Sequence, residues 1–237
     1  MPWQVPVTAF GSFAVAIALT MLIVLDANIG RVHHTASNKT ETQPIKGWGI
    51  RHRGGFAALC VIEIVDNGVR TGFLTFIAFL MIAKNLPAGW AALSVPLVLI
   101  GGMAGKLACG FLAERLGVVR TIVLTEIGTG AGILLVLVLP DVAAYLMLPL
   151  IGVVLNGTSS ALYATIGDLV EPEKLPRAFG LFYTLGSCCG LVAPLLLGAL
   201  GDKIGVADAM IVTALLAFVT LPACLVLRPA LQSLRAP

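Results

Sequence analysis

Four polar side chains stand close together in an otherwise apolar stretch, and they are the first residues that could do chemistry. They are Glu63, Asp66, Asn67 and Arg70. In a helix they would share one face, within an arc of about 100°. A carboxylate on such a face can take up and release a proton, while an amide and a guanidinium can hold a polar solute. The four residues are therefore candidates for a combined proton and substrate site.

Spacing divides the roles within this group. Asp66 and Arg70 are four residues apart with the acid first, the favourable order for an ion pair on a helix. If they pair, Glu63 is left without a cation, and burial of a lone carboxyl favours its neutral form. We therefore predict that Glu63 is the group that carries a proton. The alternative is a structural stripe of ion pairs that ties this helix to its neighbours, and the sequence leaves both interpretations open.

A second polar group lies further along the chain, at Asn156, Ser159, Ser160 and Tyr163. Their spacing is i, i+3, i+4 and i+7, so they also share a helix face. They could contact a substrate. Alternatively, the hydroxyl groups only bond to the backbone of their own helix, as Ser and Thr often do in apolar helices.

The composition requires that these residues be held by membrane-spanning helices. Hydrophobic residues make up 58% of the 237 residues and charged residues 11%, against about 45–50% and about 25% in soluble domains. So few charges could not cover the surface of a soluble protein. The sequence therefore predicts an all-α membrane protein, and it excludes a disordered chain, a coiled coil and a nucleic-acid-binding domain.

Seven stretches are apolar over the roughly 20 residues that a membrane-spanning helix needs. They are Val5–Leu25, Phe56–Ala83, Gly89–Phe111, Thr121–Leu139, Val142–Ile166, Ala178–Leu200 and Ala207–Leu227. The connections are short, except for a polar and basic segment over residues 26–55, which we interpret as a flexible cytoplasmic linker.

Loop charges predict the orientation of these spans. Eleven Lys and Arg residues fall in the loops of one side and two in the loops of the other. Because Lys and Arg accumulate on the cytoplasmic side, we expect the N-terminus outside and the C-terminus inside.

A loop motif follows the third span, with the pattern Gly-x-Leu-Ala-acid-Arg-x-Gly-x-x-Arg. Its key residues are Gly110, Glu114, Arg115, Gly117 and Arg120. This pattern resembles the signature loop of the major facilitator superfamily, except that Glu114 stands where Asp is commoner. The resemblance implies a gating role, in which the acid and arginine hold a neighbouring helix end. Glu126 is expected to join this latch through Arg115 or Arg120.

An echo of the motif occurs 88 residues later, in the segment GALGDKIG from Gly198 to Gly205. Gly110 aligns with Gly198, and Gly117 with Gly205. The repeat implies two related three-helix units in the last six spans. Since three is odd, the second unit is inverted in the membrane, as in this class of transporter.

Small residues at four-residue spacing mark the sixth span, at Gly186, Gly190, Pro194 and Gly198. Such a row is typical of a flat helix face for close packing. The stretches 65–85 and 155–163 further resemble bacterial drug-efflux members, especially the fosmidomycin-resistance-like group.

The resemblance implies secondary active transport of a small molecule, with proton-coupled efflux as the expected mode and the proton as coupling ion. It assigns residues 1–25 to a helix equivalent to the sixth of a full transporter, 26–55 to the linker, 56–228 to a C-terminal six-helix half and 229–237 to a cytoplasmic tail. The expected location is the bacterial inner membrane. We expect the chain to be partial and inactive alone, with the N-terminal half or a second copy as partner.

Other classes of membrane protein fit less well. A seven-helix receptor or sensor remains as the alternative, but the loop motif and its echo have no place there. We expect no enzyme, since H-E-x-x-H and Walker-type loops are missing from the sequence, and no cofactor. His33, His34 and His52 could form a metal site, but they have no acidic or cysteine partners at ligand spacing, so we expect no metal.

The charge asymmetry makes a direct prediction about topology. Reporter domains fused after Lys84 and after Arg235 should report outside and inside respectively, because the two positions fall on opposite sides in the predicted arrangement. Alkaline phosphatase and green fluorescent protein fusions provide the measurement. Two reporters active on the same side would contradict the predicted orientation.

Overall fold

The computed structural model describes residues 8, 11–13, 15–20 and 47–235. The chain divides into two units, Met1–Ile45 and Lys46–Pro237. In the first unit, the described residues belong to a short apolar helix, Gly11–Thr20, in which the hydroxyl of Thr20 donates to the carbonyl of Ala16. The rest of the predicted first span and most of the linker, including His33 and His34, lie outside the described residues.

Six long apolar helices make up the second unit, and each has the length and hydropathy to cross a membrane. They confirm the predicted all-α membrane fold and the last six predicted spans. Their bounds are α1 Arg53–Ala83, α2 Ser94–Leu116, α3 Val118–Val138, α4 Asp141–Leu169, α5 Leu175–Ile204 and α6 Val206–Arg235, with one helical turn, Ala88–Ala92, leading into α2.

Glycine ends both α2 and α5 in the same way. Gly117 has φ 88° and ψ 149°, and Gly205 has φ 92° and ψ 157°. Each donates its backbone N–H to the carbonyl four residues earlier, Ala113 and Gly201 respectively. A positive φ strains any residue with a side chain, so glycine is suited to both ends. The sequence echo therefore corresponds to two equivalent turns of the backbone.

The contacts between helices also repeat when each helix is replaced by the one three places later in the chain. The pair α2–α4 has its counterpart in α5–α1, and the pair α1–α6 in α4–α3, while α1–α4 and α3–α6 are their own counterparts. The last six helices therefore form two three-helix repeats related by inversion, as the echo predicts. In this arrangement α2 and α5 stand at the two ends of the packing series. α1 and α4 pack against each other between them, and we call the side of the unit that α1, α2, α4 and α5 border the mouth.

The α2–α4 contact is held by glycines that bring two backbones together. A Cβ atom at Gly101 would overlap the carbonyl of Pro149, and one at Gly105 that of Val153. A Cβ atom at Gly152 would meet the carbonyl of Val98. Small residues of this kind are the usual means of close helix contact in membranes, because lipid removes the hydrophobic drive between helices.

The end of the predicted linker is not free. Ile50 forms an isolated antiparallel bridge with Val170, and Arg51 donates its N–H to Leu169. Arg177 lies over the ring of Trp48, 3.8 Å from its centroid. Residues 47–52 therefore pack against the connection between α4 and α5. The sequence pattern of residues 26–55 does not predict this pairing.

Two more boundaries differ from the sequence prediction. The imidazole of His52 accepts from the N–H of Gly55 at 2.9 Å, so α1 begins at Arg53, three residues before the apolar stretch. At the other end α6 continues to Arg235, and most of the predicted tail is helical. Hydropathy marks the part of a helix inside the bilayer, whereas capping and helix propensity decide where it ends.

The α2–α4 contact predicts a sharp difference between two identical substitutions. Gly152→Ala should lower stability by about 1–3 kcal/mol because the methyl group overlaps the α2 backbone. Gly180→Ala, where nothing lies within 4 Å, should leave stability unchanged or raise it slightly through helix propensity. Thermal unfolding in detergent measures both. Equal melting temperatures for the two variants would contradict the close contact.

Candidate functional site

The charged stripe of α1 points into the helix bundle. Glu63 is 1% exposed and Asp66 4% exposed. Nη1 of Arg70 lies 3.9 Å from Oδ2 of Asp66, which is the predicted i,i+4 ion pair. The distance is long for a salt bridge, and Oδ2 of Asp66 has no hydrogen-bond donor. The pair is therefore an electrostatic contact rather than a closed bidentate bridge.

Glu63 lies directly beneath α5. A Cβ atom at Gly186 would stand 2.5 Å from Oε1 of Glu63 and 2.8 Å from Nδ2 of Asn67. The Asn67 amide hydrogen-bonds to the Glu63 carboxyl, and Oε2 of Glu63 is buried without a hydrogen-bond partner. The absence of a side chain at Gly186 is therefore what makes room for the acid and the amide.

The small-residue row of α5 follows α1 along its length. Gly190 continues the contact beside Asn67, and Gly198 lies against the ring of Phe76. Pro194 is inside α5 between them. The row therefore faces the helix that carries the charged stripe.

A third acid, Glu126, also lies in this cluster, although its position in the sequence predicts a contact with the loop motif. Glu126 of α3 is 1% exposed, and its carboxyl lies close to Asp66 on α1 and to Thr220 on α6. The expected latch of Glu126 with Arg115 or Arg120 is therefore wrong. A sequence pattern could have predicted this position. Glu126 is an acid in an apolar span, on one side of the helix with Thr121, Thr125 and Thr129, and such a pattern indicates a buried polar face.

The contact between Asp66 and Glu126 has a chemical consequence. Two ionised carboxylates are strongly unfavourable together in a low-dielectric interior, so we expect the pair to hold one proton. Around them, the hydroxyl of Thr158 on α4 donates to that of Thr125 on α3 at 2.9 Å, and Thr158 lies close to Asp66. The cluster thus holds three carboxyl groups on α1 and α3 and one guanidinium, that of Arg70.

The second predicted polar group is divided between two interfaces. Asn156 lies against Gly102 of α2, and its amide donates to its own helix at the carbonyl of Gly152. The Ser159 hydroxyl also bonds within α4, to the carbonyl of Asn156. Ser160 donates across to the backbone of Lys106 on α2. For these residues the contacts are with α2 and with their own helix.

Tyr163 alone of that group approaches the Glu63 side. Its ring packs against Phe182 and Tyr183 of α5, with centroids 5.8 Å and 5.1 Å away. It also lies within electrostatic range of Glu63 and Arg70. The structure therefore places Glu63, Asn67, Arg70 and Tyr163 along the junction of α1, α4 and α5, at one side of the mouth.

The motif residues lie at the end of α2 and the start of α3. Glu114, Arg115 and Arg120 are exposed, while Gly110 and Gly117 are partly buried. The Arg115 guanidinium stands 4.3 Å from the ring centroid of Phe111, on the same helix. The carboxylate and guanidinium groups of the motif are thus accessible from outside this six-helix unit.

The carboxyl cluster predicts opposite responses at its two members. Glu126→Gln should leave stability near that of the unchanged chain, since an amide can donate the hydrogen bond to Asp66 that the shared proton provides. Asp66→Asn should lower stability, by up to about 3 kcal/mol, because it removes the nearest acid from the partly buried guanidinium of Arg70. Thermal unfolding in detergent at neutral pH compares the two. Equal losses would contradict the shared proton.

Comparison with known proteins assigns the fold to a family. The model of the Major Facilitator Superfamily matches residues 72–236, which begin just after Arg70.

No curated protein matches the chain. A crystal structure of an auto-inhibited POT family peptide transporter is similar with a TM-score of 0.63 and 20% identity, over 74% of this chain. The chain spans 37% of the length of that transporter. With the loop motif, the inverted repeat and a family match over most of its length, the chain belongs to the Major Facilitator Superfamily.

Proposed function

We propose that this chain forms one wall of a pathway for proton-coupled transport of a small molecule. The observation that carries the proposal is the buried Glu63 carboxyl, which has an unsatisfied oxygen and lies beneath a glycine of α5 at the side of the mouth. Intramembrane acids are costly and are usually found on substrate or ion pathways. An acid in this position has both the environment and the neighbours of a proton carrier.

Coupling would arise from the contact between Glu63 and α5. Gly186 and Gly190 rest on Glu63 and Asn67 with no side chains between. A shift of α5 away from α1 would admit water to the carboxyl, while its return would favour the neutral form by burial. Proton uptake and helix position are then two aspects of one equilibrium, as an alternating-access mechanism requires.

The neighbouring residues have supporting parts in this proposal. Asn67, Arg70 and Tyr163 border Glu63 and offer an amide, a cation and a phenol to a polar solute. Asp66 and Arg70 mainly stabilise the site electrostatically. The proton that we expect between Asp66 and Glu126 would be a second exchangeable proton near Glu63. Asn156 lies on the α2 side of α4 and would meet a substrate only near the other edge of the mouth, while Ser159, which bonds within α4, would contact a substrate only after giving up that bond.

A second six-helix unit would supply the opposite wall. We propose that the mouth is closed by another transporter half or by a second copy of this chain, and that Glu114 and Arg115 hold a helix end of that unit. The proposed direction is efflux across a bacterial inner membrane, in line with the resemblance of residues 65–85 to drug-efflux members. A similar fold at 20% identity does not fix the substrate, so peptides are one class among those to be tested.

Transport by vesicles tests the role of Glu63. Proteoliposomes with a trapped pH-sensitive dye would be exposed to small peptides, organic cations and organic anions in turn. With a second six-helix unit present, one class should drive proton movement across the membrane. Glu63→Gln should abolish this movement because the amide cannot be protonated, while insertion into the vesicles stays normal.

Glu173→Gln is the matched control, since it removes an exposed carboxyl outside the helix bundle. It should transport as the unchanged chain does. Varying the number of copies per vesicle identifies the second wall, because flux that appears only in vesicles with two copies points to a homodimer. Full proton-coupled transport by Glu63→Gln would refute Glu63 as the proton carrier.

A further inference from the structure

A groove runs between α3 and α6 on the side of the bundle away from the mouth. Its volume is about 400 Å³, and its walls are mainly apolar, with Val123, Leu124 and Ile127 from α3 and Leu225 from α6. Leu124 and Leu225 are 53% and 75% exposed. These side chains face outward from the six-helix unit, where a bilayer would contact them.

Two arginines stand at one end of this groove. Arg120 and Arg228 line it together, and the same two residues line a second, smaller cavity that continues toward the end of the bundle. That cavity has a volume of about 130 Å³ and also includes Gln232. Neither cavity is lined by an acidic side chain. The pair of guanidinium groups therefore forms a local positive site next to an apolar channel.

The depth of the arginines matches the boundary between lipid tails and headgroups. The 21 residues of α3 extend about 30 Å, close to the thickness of the hydrocarbon layer. Arg120 is in the first turn of that helix, so its guanidinium lies at one edge of the layer. The apolar groove then runs from this edge toward the middle of the bilayer.

We propose that the groove binds an anionic phospholipid, with the phosphate of its headgroup at Arg120 and Arg228 and one acyl chain along Val123, Leu124 and Leu225. Guanidinium groups pair well with phosphate oxygens, and basic pockets between membrane helices are suited to anionic headgroups. The occupant is a lipid rather than a free anion because the charged end and the apolar channel are continuous. The proposal does not rest on the transport proposed above, although Arg120 is also a residue of the loop motif.

Native mass spectrometry of the purified 237-residue chain tests the proposal. Phosphatidylglycerol and phosphatidylcholine with the same acyl chains would be titrated separately. The chain should bind phosphatidylglycerol more tightly. The double variant Arg120→Gln/Arg228→Gln should bind it roughly 20-fold more weakly and lose the preference between the two lipids.

Two further variants separate the site from general charge and from folding. Arg53→Gln/Lys106→Gln removes the same charge from exposed positions of α1 and α2 and should bind within about twofold of the unchanged chain. Leu225→Trp fills the groove without changing charge and should weaken binding of both lipids. Glycerol phosphate, which is the headgroup chemistry without acyl chains, should not displace bound lipid at equal concentration.

Several outcomes would overturn the proposal. One is unchanged phosphatidylglycerol binding by the Arg120/Arg228 double variant, and another is an equal loss in the Arg53/Lys106 control. Displacement by glycerol phosphate would indicate a site for free anions instead. A lipid-free dimer that Leu225→Trp dissociates would show that the groove is an interface between two copies.

Discussion

Lipid surrounds these helices, so the hydrophobic effect that holds a soluble core together contributes little to the choice of helix partners. Close approach of backbones has to take its place, and in this chain it depends on glycine. Gly101, Gly105 and Gly152 bring α2 and α4 into backbone contact, where even one methyl group would overlap a carbonyl. That contact fixes α2 on α4, and its counterpart in the other repeat is α5 on α1. The mouth between α2 and α5 follows from these two attachments.

The two repeats use the same architecture for different purposes. Between α2 and α4, the backbone of the facing helix occupies the space that a side chain would take at Gly101, Gly105 and Gly152. Between α1 and α5 the space freed by Gly186 and Gly190 is occupied by the side chains of Glu63 and Asn67. A structural contact in one repeat is thus a polar site in the other. The buried acids Glu63, Asp66 and Glu126 all belong to the first three-helix repeat, α1–α3. The two inverted repeats therefore share a fold but differ in chemistry.

Charge is distributed over two regions of this unit with opposite character. Three buried carboxyl groups on α1 and α3 lie near one guanidinium in the interior, so we expect the negative charge there to depend on bound protons. On the outer side, Arg120 and Arg228 line a groove in which none of the lining residues is acidic. The first arrangement suits an ion that is bound and released, and the second suits an anion that stays in the bilayer. Both follow from the cost of an uncompensated charge in a medium of low dielectric constant.

The sequence by itself determined the membrane-spanning class, the last six spans and the repeat of 88 residues, because hydropathy and the glycine turns at Gly117 and Gly205 are local properties. It also predicted the pairing of Asp66 with Arg70, since residues four apart on one helix must be neighbours. Only the tertiary structure decided that Glu126 meets Asp66 rather than the motif arginines, and that residues 47–52 pair with the turn before α5. Such contacts join positions many residues apart. They depend on how each helix is rotated about its axis, which is set by the packing of all six helices together and not by the pattern within any one of them.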